Sequence, residues 1–181
     1  MALKVTRAAN TLIKHIKELN TSGLNIAEIG LHQAKTAKKI LTECNHLIAE
    51  YYGIDPYTVF EGSCNHTTAH GDNMYMNVLK SMNMFGQFSV IREKSTDAVR
   101  LFPDKYFDFI YIDANHSYEY VSEDIRIWMP KLKPNSLLAG HDYSRKHPGV
   151  VRAVHEFFGK SCERDKGTLF IVRFKNGIRI V

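Results

Sequence analysis

The feature that most constrains this chain is an alternation. Phe107-Asp-Phe-Ile-Tyr-Ile-Asp113 is the clearest strand, and four shorter apolar runs share its character: Leu24 to Gly30, Glu50 to Asp55, Phe88 to Arg92 and Leu137 to Gly140. Helical patterns lie between and around them. Val5, Ala8, Leu12, Ile16 and Leu19 recur at helical spacing, and so do Tyr118, Val121, Ile125 and Trp128 within a helix over residues 117–129. Further helices are expected at 34–41, running past Cys44 or stopping near Asn45-His46, and at 73–84, 96–101 and 150–158. Asn176-Gly177, between two short β-type runs, predicts a hairpin with a type I′ turn. Strands alternating with helices, closed by a hairpin, predict an α/β fold: a doubly wound, mostly parallel sheet with helices on both faces.

Size and composition narrow the class. A chain of 181 residues supports one domain, with an N-terminal helix over 1–22 and a core over 23–181. The 44% hydrophobic and 24% charged content is ordinary for a globular protein. No apolar run approaches the ~18 residues of a membrane span, and the N-terminus has no signal-peptide pattern, so a cytoplasmic protein with no membrane partner is expected. Cys44, Cys64 and Cys162 are odd in number and far apart, which predicts free thiols. The net charge of +5 admits an anionic partner, but Lys35, Lys38 and Lys39 form a solvated helical cluster without interleaved aromatics. Nucleic acid is therefore not the expected partner. A homodimer is compatible with the chain, whose oligomeric state the sequence does not fix.

In doubly wound sheets, ligands bind beyond the carboxyl ends of the strands. Five positions should meet there: Gly30, Asp55, the region of Ser95, Asp113, and His141-Asp142. Gly30 suits a tight turn or the close approach of a ligand to the backbone. The residues after it, Leu31-His-Gln-Ala34, lack the further glycines of a dinucleotide fingerprint, which counts against NAD and FAD. Asp55 can accept hydrogen bonds from both ribose hydroxyls of a nucleoside, or simply open the Asp-Pro turn. Asp113 and Asp142 end neighbouring strands and could share one divalent cation, with His141 as a further ligand or a base. His116 is a candidate general base, or a surface histidine beside the helix cap at Ser117. Residues 57–72 form a long polar stretch expected to be a loop covering a substrate; the zinc-type spacing of Cys64, His66, His70 and Asp72 within it is the weaker reading.

Taken together, Ala27-Glu-Ile-Gly30, Tyr52-Gly-Ile-Asp-Pro56, the block from Phe107 to Val121, and Lys131-Leu-Lys-Pro with Leu138-Ala-Gly-His-Asp-Tyr143 resemble the class I S-adenosylmethionine (SAM)-dependent methyltransferases. The likeness is to the small branch related to macrocin and other sugar O-methyltransferases, and it covers roughly residues 24 to 160. It implies a seven-stranded sheet ending in an antiparallel hairpin. It implies Glu28 and Gly30 beside the methionine end of SAM, Asp55 at the ribose, and Ser95 with Thr96 near the adenine. It implies Mg²⁺ or Mn²⁺ between Asp113 and Asp142, and a basic group at His116. Ala34 stands where the family usually has a second glycine, and Asn135-Ser136 replaces a usual Gly-Gly.

The activity so implied is transfer of a methyl group to a hydroxyl of a sugar, glycan or other small molecule. Asp113, His141 and Asp142 would hold the metal, and His116 or His141 would take the proton. Two other readings stay open from sequence: a non-catalytic SAM-binding protein, suggested by Ala34 and Asn135-Ser136, and an RNA methyltransferase, suggested by the basic charge.

Overall fold

The computed structural model describes residues 2–58, 68–159, 162–164 and 168–180. The five expected strands become β1 (Leu24–Ile29), β2 (Ile48–Ile54), β3 (Phe88–Ile91), β4 (Phe107–Ile112) and β5 (Leu132–Gly140). Three more follow: β6 (Glu163–Arg164), β7 (Phe170–Lys175) and β8 (Ile178–Ile180). They form one sheet in the order β3-β2-β1-β4-β5-β7-β6, with β8 also on β7. Pairs among β1 to β5 are parallel, and β7 runs antiparallel to β5, β6 and β8. This is the expected methyltransferase-like architecture, with a two-residue β6 too short to leave a periodic signal. Asn176 and Gly177 both take positive φ (53° and 76°), as the type I′ turn requires. Asn135 accepts the Asn176 N–H at 2.9 Å and the Pro134 carbonyl accepts that of Gly177 at 2.9 Å, so the hairpin turn is tied to the start of β5.

The helices are α1 (Ala2–Glu18), α2 (Lys35–Cys44), α3 (Thr68–Met82), α4 (Ser95–Ala98), α5 (Tyr118–Trp128) and α6 (Pro148–Phe158). Strand alternation divides the core in two. On one face Ile26, Tyr51, Phe109 and Tyr111 meet Leu12 and Ile16 of α1, Ile40 of α2 and Val78 of α3. On the other, Ile29, Phe107, Ile110 and Leu138 meet Ala98 of α4, Trp128 of α5 and Val154 of α6. Helices thus cover both faces, as the alternation predicted. None of the helices is long and apolar enough to cross a membrane among the described residues.

Two boundaries differ most from expectation. The polar stretch 57–72 is not loop to its end, because α3 begins at Thr68. Gly71 does not break the helix there. Its bare Cα packs on the chain at Tyr57, where an added Cβ would lie 2.0 Å from the Tyr57 carbonyl oxygen. The spacing of Cys64, His66, His70 and Asp72 cannot be judged as a group, since Cys64 and His66 lie outside the described residues. Strand β5 starts five residues early, at Leu132, with an irregular register opposite Phe107 and Phe109. The Ser136 hydroxyl closes that irregularity on the Lys133 carbonyl at 2.6 Å.

Candidate active site

Each strand exit is stitched to its neighbour by a backbone hydrogen bond. Gly30 N–H donates to Ile54 (2.9 Å), Asp55 to Ile91 (3.1 Å), Asp113 to Ile29 (2.7 Å) and His141 to Ile112 (3.0 Å). The positions expected to meet therefore lie side by side along the carboxyl edge of the sheet, where a doubly wound fold binds its ligand. Gly30 takes φ +92°, and an added Cβ would sit 2.3 Å from the Asp113 carbonyl oxygen. Its smallness thus serves backbone packing of β1 against the chain leaving β4. Ala34 takes φ +53° just before α2, which gives a physical reason for glycine at that position in the resembled family.

On the β1–β2 side, Asp55 is held by its own surroundings. One carboxylate oxygen accepts the His32 N–H at 2.8 Å, and the other accepts the Tyr57 N–H at 2.8 Å. A carboxylate has about four lone-pair sites, so two acceptor directions remain for a pair of ribose hydroxyls. Tyr57 is buried and donates its hydroxyl to the His32 carbonyl at 3.0 Å, closing the web. Glu28 is 2% exposed and accepts a hydrogen bond from the Tyr51 hydroxyl at 2.6 Å. Burial pushes its carboxyl up to about 8, opposed by the Tyr51 bond and reinforced by the charges of Asp113 and Asp55. Glu28 thus holds its proton near neutrality, leaving the Asp55 carboxylate at this end to face a cationic ligand such as SAM.

Ser95 begins α4 at the same edge, but its hydroxyl turns inward. It donates to the Asp124 carboxylate and accepts the Trp128 indole N–H at 3.1 Å. Burial pushes Asp124 up to about 7, opposed by the Ser95 bond. What Ser95 keeps for an adenine is its backbone, beside the half-buried Thr96.

On the β4–β5 side, ionisable groups crowd together. His116 Nε2 lies 3.5 Å from Asp113 Oδ1 and 3.5 Å from Asp142 Oδ2. His141 Nδ1 lies 3.5 Å from Asp113 Oδ1 and 3.4 Å from Asp142 Oδ1. Asp113 also accepts a hydrogen bond from the buried Tyr111 hydroxyl at 3.0 Å. The Asp113 carboxylate is the main influence raising the pKa of His116, against burial and with help from Asp142. Interaction with His141 leads in lowering that of Asp142.

The expected metal set of Asp113, His141 and Asp142 has its ligand atoms within 4.8 Å of one another. Two observations fit a divalent cation there. Carboxylate and imidazole are suitable donors. And His116 Nε2, shut off from solvent and facing both carboxylates, has no partner with hydrogen-bond geometry.

Ser117 sits at the N-cap of α5, yet its side chain makes no cap bond; the turn is closed instead by Asn115 Oδ1, which accepts the Ser117 N–H at 2.9 Å. His147, which sequence reading passed over, joins the cluster with Nε2 3.6 Å from Asp142 Oδ2. Its signal was the His147-Pro148 step that opens α6 after the β5 exit.

Residues 27–143 match a family model described as a methyltransferase domain. Among solved structures, the O-methyltransferase NovP superposes with a TM-score of 0.68 at 14% identity, over 95% of this chain and 80% of its own. A provisionally named O-methyltransferase of Klebsiella pneumoniae does so at 0.68 and 16%, over 93% and 80%. A provisionally named caffeoyl-CoA O-methyltransferase of Staphylococcus aureus gives 0.63 and 17%, over 91% and 81%. At such identities the likeness carries the fold. A curated relative, the uncharacterized protein y4gI of Sinorhizobium fredii, is 28% identical over 134 residues. That span is 68% of this chain and 14% of the relative's length. With the family match running from β1 through the Asp142 turn, on the sheet order and edge just described, this chain belongs to the SAM-dependent methyltransferases of class I.

Proposed function

We propose that the chain transfers a methyl group from SAM to a hydroxyl oxygen of a small molecule, with a sugar or glycan as the preferred acceptor class. The carrying observation is the meeting of Asp113, His116, His141 and Asp142 next to the edge that holds Asp55. The names of the solved neighbours, O-methyltransferases among them, support an oxygen acceptor.

Asp55 would orient the ribose through its two remaining acceptor directions, and the carboxylates of Asp55 and Asp113 would favour the cofactor's positive charge. SAM supplies an electrophilic methyl on a sulfonium. Asp113, His141 and Asp142 would hold a divalent cation, Mg²⁺ or Mn²⁺, whose charge makes a nearby hydroxyl more acidic. His116 Nε2, 3.5 Å from both Asp113 and Asp142, would take the hydroxyl proton. The acceptor oxygen bonds to the methyl carbon as the carbon–sulfur bond breaks, leaving a methyl ether and S-adenosylhomocysteine. Holding the two reactants in line removes much of the entropic cost.

The test is formation of S-adenosylhomocysteine from SAM over a panel of hydroxylated acceptors, with and without Mg²⁺ or Mn²⁺. Metal-stimulated turnover that His116→Gln removes supports the scheme. Turnover unchanged by both chelator and that variant refutes it.

A further inference from the structure

The two oxygens of Asp142 face different partners. Oδ1 faces His141, on the side of Asp113. Oδ2 faces two imidazole nitrogens, His116 Nε2 at 3.5 Å and His147 Nε2 at 3.6 Å. The second set, His116, Asp142 and His147, has its three ligand atoms within 4.8 Å of one another. It offers two nitrogens and one oxygen, whereas the first offers one nitrogen and two oxygens.

We propose that His116, Asp142 and His147 form a second cation position, selective for imidazole-favouring transition ions such as Zn²⁺ or Co²⁺, distinct from the Asp113-side position. Imidazole suits such ions, while Mg²⁺ keeps to carboxylate, carbonyl and water oxygen. The choice of ion rests on this donor set, since the contacts of 3.5 and 3.6 Å here and of 3.5 and 3.4 Å on the Asp113 side are alike in length.

The backbone makes this geometry firm. His147 opens α6, with Pro148 and Gly149 behind it. A Cβ on Gly149 would meet the Tyr118 nitrogen at 2.6 Å and the His116 carbonyl oxygen at 2.8 Å. The turns bearing the two histidines are therefore pressed together, and the imidazole rings lie edge to face with centroids 5.0 Å apart. Neither histidine needs to travel far to share an ion with Asp142 Oδ2. The unpartnered, solvent-shielded His116 Nε2 already faces that oxygen.

One consequence rests on the proposed methyl transfer. An ion bound to His116 Nε2 occupies the lone pair that would take the acceptor's proton. Zn²⁺ and Co²⁺ should then inhibit a reaction that Mg²⁺ supports. The binding itself does not depend on that reading.

The experiment is direct titration of the purified protein with Co²⁺, followed by its visible d–d absorption, and with Zn²⁺ in competition. Co²⁺ and Zn²⁺ are expected to bind at least about a hundredfold more tightly than Mg²⁺. His147→Ala, or His147→Gln if the smaller side chain unfolds the helix start, should weaken Co²⁺ by about tenfold or more and alter its spectrum. Mg²⁺ affinity should stay within about twofold, because His147 is not among the Asp113-side ligands. Equal Co²⁺ affinity and identical spectra in wild type and both His147 variants would overturn the second position. So would Mg²⁺ matching Co²⁺ in affinity. Zn²⁺ inhibition relieved by His147→Gln would extend the result to catalysis. An absence of methyl transfer with any acceptor would count against the proposed function alone, leaving the cobalt titration decisive for the site.

Discussion

The two halves of the sheet's carboxyl edge treat their charged groups in opposite ways. Around β1 and β2, Asp55 spends part of each carboxylate oxygen on a backbone N–H of its own chain, and Glu28 is buried against Tyr51. Around β4 and β5, Asp113, His116, His141, Asp142 and His147 stand 3.4–3.6 Å apart in ion-pair contacts, one nitrogen lacking any hydrogen-bond partner. Positive φ is common to both halves, at His32 (49°), Ala34 (53°) and Tyr57 (50°) in the first and at Asp142 (55°) in the second, so the contrast lies in the side chains. The first half is self-satisfied and suits the invariant part of a ligand, a nucleoside. The second is under-satisfied and suits an ion and the reacting atoms.

If that contrast is right, damage to the second half falls on chemistry. Asp142→Asn, keeping the shape and losing the charge, is expected to lower turnover by about two orders of magnitude or more while S-adenosylhomocysteine still binds. Calorimetry alongside product assays checks both parts; an unaffected rate would erase the distinction between the halves.

Damage to the first half should fall on binding. Asp55→Ala removes a carboxylate that fixes both a turn and the expected ribose, so affinity for S-adenosylhomocysteine should drop by about ten- to a hundredfold. Thermal unfolding should show a loss of about 1 kcal/mol, from the part-buried Tyr57 amide deprived of this acceptor. Intact affinity would mean that the nucleoside lies elsewhere.

The buried acids sharpen the comparison through pH. Glu28 is raised from 4.5 to about 8 in the folded chain, so it keeps a proton that the unfolded chain has released across that interval. Its contribution is full below about 4.5 and falls as pH rises, disappearing above about 8. Asp124, raised from 3.8 to about 7, behaves likewise over its own interval. Glu28→Gln should flatten the decline in stability between those limits by roughly a few kcal/mol, leaving the part due to Asp124, which ends near 7. Denaturant melts at several pH values would show it; an unaltered slope would mean that Glu28 is ionised when buried.

The smallest effect concerns Ala34. Its left-handed backbone costs roughly 1–2 kcal/mol, so Ala34→Gly should relieve that. Loss of a methyl that is 1% exposed takes back about 0.8 kcal/mol, and the freer unfolded chain of glycine about 0.4–1 kcal/mol more. The terms nearly cancel, so a change within about 0.5 kcal/mol is expected in chemical denaturation, with cofactor affinity unchanged. A loss beyond about 1 kcal/mol would show that the methyl packs better than its backbone suits.

The sheet was legible because its signals are local. Apolar runs at β1 to β5 and an Asn-Gly turn need no knowledge of neighbours. So were Asp55, Asp113, His141 and Asp142, because a strand's last residue is fixed in the fold once the strand is found. What escaped depends on long-range contact. The early start of α3 rests on Gly71 fitting against Tyr57, and nothing near residue 71 announces that. The inward turn of Ser95 rests on Asp124 and Trp128, about thirty positions away. His147 was passed over because the His147-Pro148 step marks only a helix start, and it is the packing of Gly149 on the His116 turn that brings it to Asp142. A tie such as Asn135 to Asn176 was likewise invisible, since a departure from a familiar Gly-Gly says only what is missing.

The four amide links that fasten Gly30, Asp55, Asp113 and His141 to adjoining strands come from main-chain N–H groups, which every amino acid except proline carries. Their hold is indifferent to which side chain follows. Evolution, or a library built at positions 55, 113 and 141, can therefore trade one reactive group for another while the place it is presented from stays put. Position 142 is the exception: its positive φ would confine successful replacements largely to asparagine and glycine.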